Sequence, residues 1–211
     1  MLDNHGFNLW AGDYDKAVDI TDDNNEYPFA GYKELMNVIY GTVMSKKPVS
    51  VLDIGIGTGT LAFKLYESGV NVTGIDFSNE MLDIAKEKMP KAMLIEHDFT
   101  EELPSQVQDA KYDCIISTYA LHHLTDDEKI PFILSAIKHL TNNGTMIIGD
   151  VSFYSRSELD NCKIASGDEW DDDEHYFVFT ELDEKLKGCC TLVYRQISHC
   201  AGVVEISPLH K

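Results

Sequence analysis

The 211-residue chain can bury a sizeable α/β core, and its 44% apolar content is ordinary for a folded protein. A net charge of −19 repels phosphate backbones, which argues against nucleic acid and suits a small neutral or cationic substrate. No membrane-length apolar run and no signal peptide in MLDNHGFNLW predict no membrane association and a cytoplasmic location, and five cysteines without a CxxC predict neither a disulfide framework nor a metal site.

Residues 29–40 (FAGYKELMNVIY) place Phe29, Tyr32, Leu35, Met36 and Ile39 on one helical face. VSVLDI follows as a buried strand. The helix after the glycine run turns Leu61, Ala62 and Leu65 inward and stops near Gly69. NVTGID is the second strand. Ser78 caps a helix carrying Leu82, Ala85 and Met89, with lysines in its last turn and Pro90 beyond. AMLIEH and YDCIIS are strands three and four, with Cys114 in the core. Thr125 and Glu128 have capping-box spacing. Pro131 lies too deep for a smooth first turn, so a short turn and then a helix from about Pro131 to Leu140 are expected. Asn143-Gly144 closes that helix, and TMIIGD is strand five. Within residues 152–175, the acidic–aromatic run GDEWDDDEHYF reads as helical or irregular covering structure. CTLVYRQIS and AGVVEIS then form an antiparallel hairpin at the sheet edge. The alternation over residues 49–150 predicts a parallel sheet with helices on both faces.

The chemistry gathers at strand ends. VLDIGIGTG carries Gly55, Gly57 and Gly59 between a strand and a helix. Such a turn lets a ligand approach the backbone and points free N–H groups at it. Its GxGxG spacing, with Thr60 where a third fingerprint glycine would fall, departs from the dinucleotide GxGxxG. Asp53 just before the loop would oppose a pyrophosphate but not a cationic methionyl group. Asp76 ends the second strand, where a carboxylate can accept both ribose hydroxyls. Asp98 ends the third, placed to accept from an adenine amino group with Phe99 near the ring, a turn residue being its plainer role.

VLDIGIGTG, GIDFSNEML, EHDF and YDCIISTYALHHL together resemble the successive motifs of the class I S-adenosylmethionine-dependent methyltransferases, over roughly residues 8–150. STYALHHLTDDEK and WAGDYDKAV are similar to segments of the YrrT-type subgroup of bacterial small-molecule methyltransferases. The resemblance implies a Rossmann-like seven-stranded sheet of order 3-2-1-4-5-7-6 with the last strand antiparallel, and cofactor contacts from Gly55, Asp76 and Asp98. It implies residues 1–45 as a lid and N-terminal helices, with Tyr14 near the cofactor carboxylate and Trp10 beside it. Residues 46–150 are then the cofactor core and 151–211 the substrate-side cover and hairpin of one domain. Ser117 can offer its backbone carbonyl to the methionyl amino group. Tyr119, His122 and His123 are candidates to line the acceptor pocket, where a neutral histidine can take a proton from a nucleophile; packing and helix capping are the plainer roles for the histidines. Trp170, His175, Tyr176 and Phe177 could wall the substrate side or form a solvated face. The expected activity is in-line methyl transfer from S-adenosylmethionine to a small molecule, by a monomer or homodimer. A non-catalytic cofactor-binding protein and, further off, an NAD-dependent oxidoreductase are the rivals.

Overall fold

The computed structural model describes residues 18, 21–22 and 24–209. Among the described residues there are eight strands: β1 (Ser50–Ile54), β2 (Asn71–Asp76), β3 (Met93–Glu96), β4 (Tyr112–Thr118), β5 (Leu140–Phe153), β6 (Phe177–Val178), β7 (Cys190–Gln196) and β8 (Ala201–Pro208). They lie in the order β3-β2-β1-β4-β5-β8-β7, with β6 pairing separately to β5. Among these strands only β8 points opposite to the rest, antiparallel to both β5 and β7. The seven long strands therefore keep the expected order, and the two-residue β6 is an addition that the sequence pattern did not signal.

The helices are α1 (Tyr32–Ser45), α2 (Thr60–Glu67), α3 (Asn79–Lys88), α4 (Ser105–Gln108), α5 (Asp126–Ala136), α6 (Arg156–Ser166) and α7 (Phe179–Leu186). Side chains of a strand alternate between its faces. Val51 and Ile116 thus join the core beneath α1, α2 and α3, while Leu52, Ile54 and Ile115 join the one beneath α5 and α7. Burial on both faces explains why β1 reads as an unbroken apolar run. Of the expected helix face, Tyr32, Leu35, Met36 and Ile39 are buried in α1, with Phe29 packed against the same core.

Helix α1 lies so close to β5 that only glycine fits at position 149. A Cβ there would sit 2.4 Å from Ile39 Cδ1 and 2.6 Å from Leu35 Cδ2. Overpacking of this kind costs about 1–3 kcal/mol, so Gly149→Val is expected to lower the free energy of unfolding by at least that amount, seen as a lower urea midpoint. An unchanged midpoint would refute this account of the α1 contact.

The region after β4 corrects two expectations. Helix α5 begins at Asp126, with the Thr125–Glu128 capping box formed and Pro131 inside the helix, rather than starting at Pro131. The proline removes the N–H that would reach Asp127 four residues back. Asp127 and Pro131 are both exposed, so water can serve the orphaned carbonyl and the cap decides the start. Asn143-Gly144 does not end this helix but lies within β5, where the pairing with β4 shifts register between Tyr112 and Cys114. A turn-forming dipeptide here serves a strand irregularity.

Candidate active site

The carboxyl ends of β1, β2 and β4 surround a cleft of about 690 Å³, counting its open mouth. This is where parallel α/β sheets bind ligands. The glycine loop forms its floor. Gly55, Gly57 and Gly59 have φ of 73°, 54° and 76°, in the left-handed region that glycine enters without strain. Space matters as much as φ at two of them. A Cβ on Gly55 would meet Ala120 Cβ at 2.4 Å, and one on Gly59 would meet Met89 Cε at 2.7 Å.

The loop's amides are not free, contrary to expectation. Gly55 and Ile56 both donate to the Ile75 carbonyl, at 2.8 and 3.0 Å. Gly57 donates to Asp76 Oδ2 at 2.7 Å. Three consecutive N–H groups thus bind the loop to β2 instead of pointing at a phosphate, and the loop serves close approach rather than anion capture.

Asp76 accepts a second backbone bond, from Ser78 N–H to Oδ1 at 2.9 Å. Burial pushes its carboxyl up, against the Ser78 and Gly57 bonds that pull it down. Phe77 adds a further backbone bond to the carboxyl, and the roughly four acceptor positions of an ionised carboxylate still leave room for a ligand hydroxyl. Asp53 is held opposite Gly74 of β2 and Ile116 of β4. It is buried, and its Oδ1 has no hydrogen-bond partner. Burial, and then the charge of Asp76, raise its carboxyl to about 8. Two buried acids thus share a cleft whose described lining holds no lysine or arginine.

Phe99 lines the cleft beside Gly55. Asp98 does not: it is exposed, and its Oδ1 accepts from the Thr100 amide at 2.9 Å and hydroxyl at 2.7 Å as an Asx turn. Ser117 is buried, and its hydroxyl donates to the Ile54 carbonyl at 2.7 Å, joining the ends of β4 and β1. Trp10 and Tyr14 lie outside the described residues.

The chain leaves β4 through Tyr119, a non-glycine residue at φ 48°. Its ring packs against Phe29 and Tyr32, with centroids 5.1 and 5.4 Å away, and walls the cleft. The two histidines that follow have different places. His123 lines the cleft, and burial, then the neighbouring His122, hold its pKa down at about 4. His122 is turned away from the cleft into the protein, with Nδ1 2.6 Å from Asp150 Oδ1 and Nε2 3.5 Å from Glu174 Oε1. Burial disfavours its charge, but Asp150 and then Glu174 outweigh burial and raise its pKa.

Asp150 and Glu174 were not singled out in the sequence. Asp150 lies near the end of β5, where an acid matches those at the ends of β1 and β2. Glu174 is hidden inside a run of acids. That run is fastened to the β4 exit: the His175 amide donates to the His122 carbonyl at 2.8 Å, and the His175 carbonyl accepts from the buried Lys129. Trp170 stacks on Tyr27 at 5.2 Å and meets Tyr176 edge-on at 4.9 Å, so part of the acidic–aromatic run is packing.

Residues 51–144 match a family described as methyltransferase domain. A protein of Bacillus mycoides strain KBAB4, described as an uncharacterized methyltransferase, is 39% identical over 156 residues, which cover 73% of this chain and 69% of the relative. Among solved structures, an S-adenosylmethionine-dependent methyltransferase from Clostridium acetobutylicum superimposes with a TM-score of 0.71 at 18% identity, covering 93% of this chain and 99% of that one. A complex of DhpI with S-adenosylhomocysteine gives 0.70 at 17% identity, over 99% and 96% of the two chains.

Proposed function

Because this chain belongs to the class I S-adenosylmethionine-dependent methyltransferases, we propose that it transfers the cofactor's methyl group to a small neutral or cationic acceptor at the β1–β2–β4 cleft. The observation that carries the reading is Asp53, a buried carboxylate with an unpartnered oxygen at the floor of a cleft with two acids and no described cation. Such a group calls for a cationic ligand. S-adenosylmethionine supplies a sulfonium-activated methyl group. The inward-turned loop amides argue against a pyrophosphate in the same place, and so against the dinucleotide rival.

Within this reading Asp76 holds the ribose hydroxyls through its remaining lone pairs, Phe99 flanks the adenine and Asp53 faces the methionyl ammonium. Asp98 has Oδ1 engaged by Thr100 and would meet the adenine amino group through its other oxygen. Tyr119 and His123 face the acceptor. Most of the rate gain comes from aligning the nucleophile and excluding water. His123 is uncharged at neutral pH and can accept a proton from a hydroxyl or thiol, while His122 is occupied between carboxylates.

Calorimetry with S-adenosylhomocysteine and with NADH tests the cofactor. Micromolar binding of the first and none of the second is expected, and the reverse would overturn the reading. In an acceptor panel, methyl transfer is expected for neutral or cationic compounds. Turnover confined to polyanions would overturn the acceptor class.

A further inference from the structure

Beside the cleft, His122, His123 and Glu174 each present one ligand atom, all within 4.8 Å of one another. We propose that these three residues bind a divalent transition-metal cation of the zinc type. Two imidazoles and a carboxylate suit that class of ion.

One of the three separations already matches what such an ion requires. Ligands at about 2.0–2.1 Å from a tetrahedral zinc lie roughly 3.3–3.5 Å apart. His122 Nε2 and Glu174 Oε1 are 3.5 Å apart. That separation is too long for an ordinary N–H···O bond of roughly 2.7–3.2 Å, so an ion pair alone leaves the two atoms poorly engaged. Ring centroids of His122 and His123 stand 4.2 Å apart at 67°, and the His123 ligand atom lies within 4.8 Å of the other two.

The ligands are also held from behind, as metal ligands characteristically are. Asp150 Oδ1, 2.6 Å from His122 Nδ1, accepts its proton and leaves Nε2 as the coordinating atom. The other oxygen of Glu174 accepts from the Tyr176 hydroxyl at 2.7 Å, and that hydroxyl meets Tyr27. Main-chain bonds on both sides of His175 fix the segment that carries Glu174. Protons compete with the cation for the imidazoles, as at any histidine site. Three protein ligands fall one short of zinc's usual four, and His123 places the site at the cleft wall, where water or an acceptor heteroatom completes the set. The site rests on its own ligands. A part for it in catalysis would rest on the methyl-transfer reading, and with the cation bound His123 is a ligand and no longer the proton acceptor.

The test uses the full chain, stripped with chelator and titrated with Zn²⁺, with Co²⁺ as a coloured substitute. One equivalent of Zn²⁺ per chain, a higher melting temperature with Zn²⁺ and a visible Co²⁺ spectrum are expected. Glu174→Gln and His123→Gln, both at partly exposed positions, are each expected to weaken Zn²⁺ at least 100-fold with the far-ultraviolet circular dichroism unchanged. Glu174→Gln is further expected to bind S-adenosylhomocysteine as the parent does, which separates this site from the cofactor site. No stoichiometric Zn²⁺, or equal Zn²⁺ affinity in both folded variants, would overturn the proposal.

Discussion

Asp76→Ala is expected to weaken S-adenosylhomocysteine binding by about 10²–10⁴-fold, because each hydrogen bond to a charged group contributes roughly 1.5–3 kcal/mol and two ribose hydroxyls lose theirs. The variant also strands the Gly57 and Ser78 amides, whose bonds to the carboxylate are 2.7 and 2.9 Å long. Each buried donor left unpaired costs about 1–3 kcal/mol, so the glycine loop and the start of α3 should loosen as well. Asp76→Asn separates the two effects. Its carbonyl can still take one backbone bond, so it should keep most of the stability while losing about 10–100-fold in affinity with the charge. Calorimetry and thermal melting on both variants provide the check. Unchanged affinity in Asp76→Ala would remove Asp76 from the cofactor site altogether.

The second large effect depends on pH. The Asp53 carboxyl is raised to about 8, by burial and then by Asp76. Below that value the free protein holds a proton there, and a cationic ligand must displace it. Affinity for S-adenosylhomocysteine is therefore expected to climb by up to about tenfold per pH unit between pH 6 and 8 and then flatten. Asp53→Asn should abolish the slope and, above pH 8, bind about 10–150-fold more weakly than the parent. Stability of the free protein runs the other way. A folded carboxyl titrating above its unfolded value makes the folded state bind more protons, so stability falls as pH rises from about 4 to 8. Asp53→Asn removes that fall. Calorimetry in buffers of different ionisation enthalpy counts the proton directly. A parent protein that releases none below pH 8 would defeat this assignment.

Much of the cofactor side was legible because it rests on local patterns. The glycine run, the strand-end acids Asp53 and Asp76, and the caps at Ser78 and Thr125 each act within a few residues of themselves. Asp98 shows the limit of such patterns. A strand-end acid followed two residues later by threonine is also an Asx turn, and one oxygen of Asp98 is engaged in it, outside the cleft lining. The loop amides show another: β2's Ile75 carbonyl and Asp76 reach across to them, and no spacing within VLDIGIGTG records that. Asp150 and Glu174 meet His122 only because β5, the β4 exit and the acidic run converge. Glu174 in particular is one acid among many until the fold selects it. The start of α5 went wrong for a different reason. Proline's cost depends on whether its orphaned carbonyl is wet, and exposure is a tertiary property.

The acidic–aromatic run is held to the β4 exit at His175 by its amide and carbonyl, not by its imidazole. A grip on the main chain is indifferent to side-chain identity. Selection can therefore rewrite the exposed positions of the run, such as Asp172 and Asp173, without unhooking the segment, whereas Trp170, Glu174 and Tyr176 are held by their own side chains. The clasp thus separates what fastens the run from what the run displays to solvent, so its outward face can change while its seat does not.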